Sequence, residues 1–307
     1  MVYWVTEIKS VDDLPVYPDV QHEILPLGRG KVRALVRSAP VGSLRVHIES
    51  FQSRFWFQEV QTGDRLYLGL LMPKGDPIRF LSRQLESQTF VSWHGLGRTE
   101  WDYTVEPGTC NYMVELPISV AKDRGWILPT PSHLQVSTRS AQEFAALMEL
   151  ETALASRGTI VKTTVRVERL LTALDALTSN ALYNPITAAR VRGSVRSQGR
   201  IVKAATEYLK EHGSETDASG AKLSATVGCS RRSLYAAFQA QVGLGPRKVD
   251  EMLRLYKLRS LLREGAPGHT TVSKLMHEAG FSHLGRTAGL YRSHFGETPS
   301  KTLRGSA

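Results

Sequence analysis

The sequence predicts an α+β chain with a β-rich N-terminal half, a helical hairpin, and an all-α C-terminal domain built on one motif used twice. Three observations carry this. Seven short runs rich in β-branched and aromatic residues crowd between residues 28 and 128, broken by Gly, Pro and Asp. Beyond residue 140, apolar residues recur at helical spacing instead. Near the C-terminus, the outline of the segment from Leu223 to Pro246 is repeated. At 307 residues the chain is long enough for two separate cores.

Charge divides the chain the same way. From residue 195 onward there are 18 Lys+Arg against 9 Asp+Glu, a net of +9; the first 194 residues hold 21 against 20, a net of +1. A basic excess confined to one module is the footprint of polyanion binding. Cys110 and Cys229 lie in different halves, which fits reduced packing residues better than a disulfide framework. No run reaches 18 apolar residues and the N-terminus has no basic-then-apolar leader, so a cytoplasmic protein without membrane contact is expected.

In chain order, residues 1–27 read as an arm, since Pro15, Pro18 and Pro26 discourage a long helix. The runs KVRALVRS, SLRVHIESF, RFWFQEV, RLYLGLLM, TFVSWHG, EWDYTVE and NYMVELP then read as strands of a sandwich or small barrel. Residues 1–138 thus form the β domain. Arg29, Arg33 and Arg37 fall at i, i+4 and i+8, which puts all three on one side of a strand. Guanidinium forks on one face suit phosphate or a guanine edge, with Arg45, Arg54 and Trp93 as helpers. The bland alternative is a solvated basic edge strand. His22, His47, His94 and His133 are scattered singly, so no metal site is expected. Neither a nucleophile elbow, a phosphate-binding loop nor a dinucleotide fingerprint occurs, and no enzymatic activity or cofactor is expected.

Residues 139–183 read as two helices, the first ended by Gly158 and the second stopping before Pro185. Residues 184–199, NPITAARVRGSVRSQG, have the composition of a linker. The domain at 200–304 opens with a helix near Ile201–Glu211. Leu223 to Gly243 reads as helix, Val227-Gly228 turn, Ser230 N-cap and second helix. Thr270 to Ser300 repeats this, with Gly280 as the left-handed stop, Phe281 as a plug between helices, Ser282 as N-cap and Gly296 as terminator. FQAQVGLGP and YRSHFGETP align without a gap, and PRKVDEMLRLYKLRSLLREG between the copies is an amphipathic helix opened by Pro246.

Two helix-turn-helix units joined by one helix resemble the AraC/XylS family of bacterial transcription regulators. The likeness covers about residues 195–304 and is strongest in CSRRSLYAAF, LRLYKLRSLL, AGF and FGETPS. It implies a cupin-like barrel for the N-terminal half, a dimerising role for the hairpin, and promoter DNA and RNA polymerase as partners of a homodimeric activator. Arg231, Arg232, Ser233 and Tyr235 open the first unit's second helix, and the inward spacing of Leu234 and Phe238 leaves Arg231, Arg232 and Tyr235 outward. The resemblance implies Arg232, Tyr235 and Ala236 as the groove-facing set of that helix, and His283, Leu284, Arg286 and Gly289 at the matching places of the second unit. Arg247, Lys248, Arg292 and Lys301 would contact phosphates. A departure is the segment HLGRTAGLYRSHF, which puts Gly285 and Gly289 inside a helix and Thr287 where the family usually has an aromatic. Arg29-x-x-x-Arg33 also resembles the first half of the signature of PilZ domains, which bind cyclic di-GMP; the second half is absent. Cyclic di-GMP is therefore the effector this pattern names. The alternatives are a constitutive DNA binder whose barrel serves dimerisation, and an enzymatic barrel with a DNA-binding appendage.

Overall fold

A computed structural model of the chain describes residues 3–305 apart from 9–12, 14–19, 29–31, 62, 76–77, 81–82, 86–88, 95–98, 127–131, 159–160, 184–192, 213–219 and 267. Its contacts divide it into two compact units, residues 1–24 with 33–192, and residues 25–32 with 193–307.

The chain opens with β1 (Trp4–Ile8) and β2 (Val20–Pro26), where an arm was expected, the last two residues of β2 being counted with the second unit. Both are edge strands, β1 of a seven-stranded sheet and β2 of a five-stranded one, and an edge is where a strand tolerates the proline that closes β2. The seven strands read from the sequence follow among β3 (Ala34–Val41), β4 (Leu44–Phe51), β5 (Phe55–Gln61), β6 (Arg65–Met72), β7 (Ile78–Phe80), β8 (Arg83–Leu85), β9 (Thr89–His94), β10 (Thr99–Val105) and β11 (Cys110–Pro117). Then come α1 (Ile118–Asp123), β12 (Ser132–Gln135), α2 (Thr138–Ser156) and α3 (Thr163–Tyr183). The sheets run β1-β3-β4-β11-β6-β9-β12 and β2-β5-β10-β7-β8. Where a cupin-like barrel was expected, the described residues form two separate sheets without one continuous ring of pairing. Phe51 on β4 meets Phe55 and Phe57 on β5 edge-on at 5.7 Å, so the sheets face each other.

The outward face of the larger sheet is apolar because it is covered by helices. Val46 and Ile48 of β4, Leu66, Leu68 and Leu70 of β6, and Val114 and Leu116 of β11 pack with Phe144 and Met148 of α2 and Leu170 and Leu174 of α3. The alternate residues of the same strands point at the partner sheet, and there His47, Glu49, Asn111 and Glu115 are all buried. The hairpin α2–α3 is locked by Glu151, fully buried, which accepts from Arg166 at 2.6 Å and from Arg169 at 3.2 Å.

The second unit contains α4 (Gly193–His212), α5 (Gly220–Val227), α6 (Arg231–Gln241), α7 (Pro246–Glu264), α8 (Val272–Glu278), α9 (Leu284–Phe295) and α10 (Pro299–Arg304). α4 begins eight residues before the helix expected at Ile201, inside the stretch read as linker. Its face of Val202, Ala205 and Leu209 supplies the burial that composition alone did not reveal. No helix among the described residues is long and apolar enough to cross a membrane.

Candidate nucleic-acid interface

The two helix pairs are shaped by local chemistry that the sequence displays. In the first, Gly228 takes φ +70°, and the Ser230 hydroxyl caps α6 by accepting from the Ser233 N–H at 3.0 Å. Leu234, Ala237 and Phe238 are buried, which leaves Arg231, Arg232, Tyr235, Ala236 and Gln239 as one exposed stripe of α6, with Ser233 exposed beside it. Tyr235 is held rather than free. A Cβ at Gly220 would come within 3.0 Å of its ring, and one at Gly245 within 3.8 Å, so two glycines make room for this tyrosine at 39% exposure. Cys229, in the turn, is half-buried, and burial raises its thiol pKa, which keeps it protonated at neutral pH.

In the second pair the Thr271 hydroxyl caps α8 by accepting from Lys274 N–H, and Gly280 closes it at φ +86°. Phe281 packs into the core formed by Leu258, Leu262, Leu275, Tyr291 and Phe295, as a plug between the helices. The expected Ser282 cap does not form. The N-cap is His283, without a side-chain bond, and the turn is held instead by Thr287, whose hydroxyl donates to the His283 carbonyl at 2.9 Å. His283, Gly285, Arg286, Gly289 and Arg292 are exposed, whereas Leu284 packs half-buried against the core rather than standing fully outward. A Cβ at Gly285 or Gly289 would meet nothing within 4 Å.

α7 joins the pairs as one continuous helix. Arg247 is exposed near its start, and Lys248 is paired with Glu251. Sequence reasoning missed Arg254, which ties α7 to the second turn. Its guanidinium donates to the Gly280 carbonyl at 2.8 Å and pairs with Asp250 at 3.0 Å. Burial raises the Asp250 carboxyl pKa, and Arg254 opposes that shift. The i, i+4 spacing of Asp250 and Arg254 was the available signal.

Of the arginines read as effector contacts, Arg37 and Arg45 are not brought together. Arg29 lies outside the described residues. Arg33 is exposed just before β3, its N–H bonded to the Ser53 hydroxyl at 2.9 Å. Arg37 turns outward beneath α2 and donates two bonds of 2.7 Å to Glu149. In the β3–β4 ladder Arg37 pairs with Ile48 and Pro40 pairs with Arg45, which puts Arg37 and Arg45 on opposite faces of the sheet. Arg45 instead lies 3.8 Å from Glu115, which also bonds Arg65 at 2.8 Å and His47 at 3.2 Å. Arg54 pairs with Glu106 at 2.7 Å, and the side chain of Trp93 is outside the described residues. Between the sheets, Glu49 accepts from Asn111 at 2.8 Å and Glu59 from Tyr103 at 3.0 Å. They line a cavity of about 10 Å³, room for about one water. Of the scattered histidines, His47 is fully buried against Glu115.

A family model described as a helix-turn-helix domain matches residues 223–305. A probable thc operon regulatory protein of Rhodococcus erythropolis is 36% identical over 104 residues, 34% of this chain and 31% of the relative. A XylDLEGF operon transcriptional activator of Pseudomonas putida is 34% identical over 105 residues, again 34% of this chain and 31% of the relative. The chain therefore matches less than a third of the length of these curated relatives. Among solved structures, a probable AraC family transcriptional regulator from Rhodopseudomonas palustris is 36% identical, over 34% of this chain and 96% of that one, with a TM-score of 0.32.

Proposed function

We propose, from the premise that the chain belongs to the AraC/XylS family of transcription regulators, that it is a cytoplasmic DNA-binding activator and not an enzyme. One observation carries the reading. A single compact unit presents two helix-turn-helix pairs on one continuous connecting helix, and the exposed stripe of α6 begins with two arginines. Recognition helices meet base edges with their N-terminal residues, and arginine to guanine is the commonest specific contact. Arg231, Arg232, Ser233, Tyr235 and Ala236 form the first reading face; His283, Arg286 and Gly289 form the second, with Leu284 supporting it from the core. Arg247, Arg292 and Lys301 contact phosphates, and Lys248 joins them on leaving Glu251. Two units on one helix read neighbouring major-groove segments about 10 bp apart.

The N-terminal unit serves dimerisation and sensing. Leu150 and Val165, exposed by 45% and 49% on the hairpin, support pairing with a second copy. Cyclic di-GMP is the effector suggested by Arg29 and Arg33. The Arg37–Glu149 pair favours the second reading, a regulator that binds DNA without an effector, because a phosphate must displace Glu149 to reach Arg37. Contact with RNA polymerase belongs to either reading.

Binding to a promoter fragment tests the core of this. Wild type is expected to prefer it over scrambled DNA, and Arg232→Ala to lose about 1–3 kcal/mol of that preference. Equal binding to both DNAs by the wild type would sink the proposal. Repeating the titration with cyclic di-GMP separates the sensor from the constitutive binder.

A further inference from the structure

The second unit carries a cleft of about 510 Å³ between the C-terminal part of α7 and α10, lined by Arg259, Arg263, Glu297, Lys301, Thr302 and Gly305. Three cations share it with one carboxylate, and that carboxylate is already engaged. Glu297 lies 3.4 Å from the Arg259 guanidinium and accepts from the Thr302 hydroxyl at 3.0 Å. Arg259 is fixed in turn, its guanidinium carbon 4.6 Å from the centre of the Phe295 ring. These contacts hold the Arg259 side of the cleft in place. Arg263 and Lys301 are exposed and bring their charge to the opening.

We propose that this cleft binds a multiply charged phosphate-type anion, either a free phosphorylated solute or a phosphate of the DNA backbone. Like charges gathered in a concavity focus a positive potential there. The guanidinium forks match the oxygen geometry of phosphate, and Lys301 adds a mobile point charge. The volume falls in the range of about 300–1,000 Å³ typical of small-ligand sites. Lys301 on its rim is one of the phosphate contacts proposed above, so a DNA-backbone source would rest on that reading, whereas Arg247 at the start of α7 lies well away. Arg259 and Arg263 lie 12 and 16 residues beyond Arg247 on the same helix, about 18 and 24 Å along its axis.

The test uses the full chain and an Arg263→Ala variant, which leaves both the Arg259–Glu297 anchor and the proposed DNA contact Lys301 intact. Thermal midpoints are compared in sodium pyrophosphate and in sodium chloride at equal ionic strength, and both proteins are titrated onto a promoter fragment across a salt series. A midpoint raised by pyrophosphate in wild type and not in the variant supports a free anion, provided that DNA binding is the same for both. A salt slope of log K lower by about 0.9 in the variant supports the DNA backbone as the source, whatever pyrophosphate does. If neither the midpoint nor the slope separates the two proteins, the proposal is overturned. A wild type that binds no DNA counts against the regulator reading and leaves the pyrophosphate comparison intact.

Discussion

Arg37 on β3 and Glu149 on α2 are joined by two parallel hydrogen bonds, each 2.7 Å long, so the hairpin is clamped to the sheet by a fork-on-carboxylate pair. The Glu149 bond is the largest influence on Arg37 and raises its pKa. Solvent screens the pair, since Glu149 is 43% exposed. Glu149→Ala is expected to cost only about 0.5–1 kcal/mol in urea unfolding. It also releases Arg37. If cyclic di-GMP uses Arg37, calorimetric affinity rises in this variant; an unchanged affinity removes Arg37 from the effector site.

A second prediction concerns acid. Burial pushes the Glu115 carboxyl up, but the His47 bond and the charges of His47, Arg65 and Arg45 outweigh it and hold the pKa below the ordinary value. A depressed carboxylate stabilises the fold above its unfolded pKa of about 4.3 and loses that contribution as pH falls through the folded value. Glu115→Gln should flatten this acid limb of the stability curve. At neutral pH it should cost about 3 kcal/mol, because two arginines keep their charge without the counter-ion.

Gly42 should not tolerate a side chain. Its φ of +64° suits glycine, and a Cβ would stand 2.7 Å from Val167 Cγ2 and 3.2 Å from Thr163 Cγ2. Gly42→Ala is expected to destabilise by about 1–3 kcal/mol. Adding Val167→Ala relieves the clash but not the backbone strain, so the double variant recovers part of the loss relative to Val167→Ala alone.

Gly289 behaves in the opposite way. It lies inside α9 with open space where its Cβ would be, so the helix gains from a side chain. Gly289→Ala should raise stability by about 0.8–1 kcal/mol. A higher denaturation midpoint at unchanged m-value is the expected readout.

Arg254→Ala should act through position. It strips the Gly280 carbonyl and the buried Asp250 of their partner, at a cost of about 2–3 kcal/mol. DNA affinity should fall with it, and restoring α7 packing elsewhere should not bring the affinity back. Recovery by a purely stabilising second change would show that Arg254 does not position the second turn.

The legible parts of this chain were those written in neighbouring residues. Ser230, Gly228, Gly280 and Gly296 announce their turns and caps within a few positions, and the seven central strands show their own texture. β1 and β2 were hidden by Pro15, Pro18 and Pro26, which argue against a helix without revealing an edge. Arg45, named as a helper to the arginine face, is separated from Arg37 for a reason of register. The hairpin at Gly42-Ser43 pairs Val41 with Leu44, and from that pairing Arg37 and Arg45 must fall on opposite faces. Spacing along one strand could not show which face a helix would cover. The bond from Arg254 to Gly280 spans 26 residues, beyond what any local pattern encodes.

α7 runs unbroken for 19 residues, about 28 Å, between the two helix-turn-helix pairs. It sets not only how far apart they stand but their rotational phase. One residue inserted at its middle would turn everything beyond by 100° about the helix axis and advance it by about 1.5 Å. On the proposed reading, the second helix-turn-helix pair would then leave the side of the duplex that the first occupies. A change at the centre of α7, touching no base and no phosphate, could thus silence the protein on an operator whose sequence is intact.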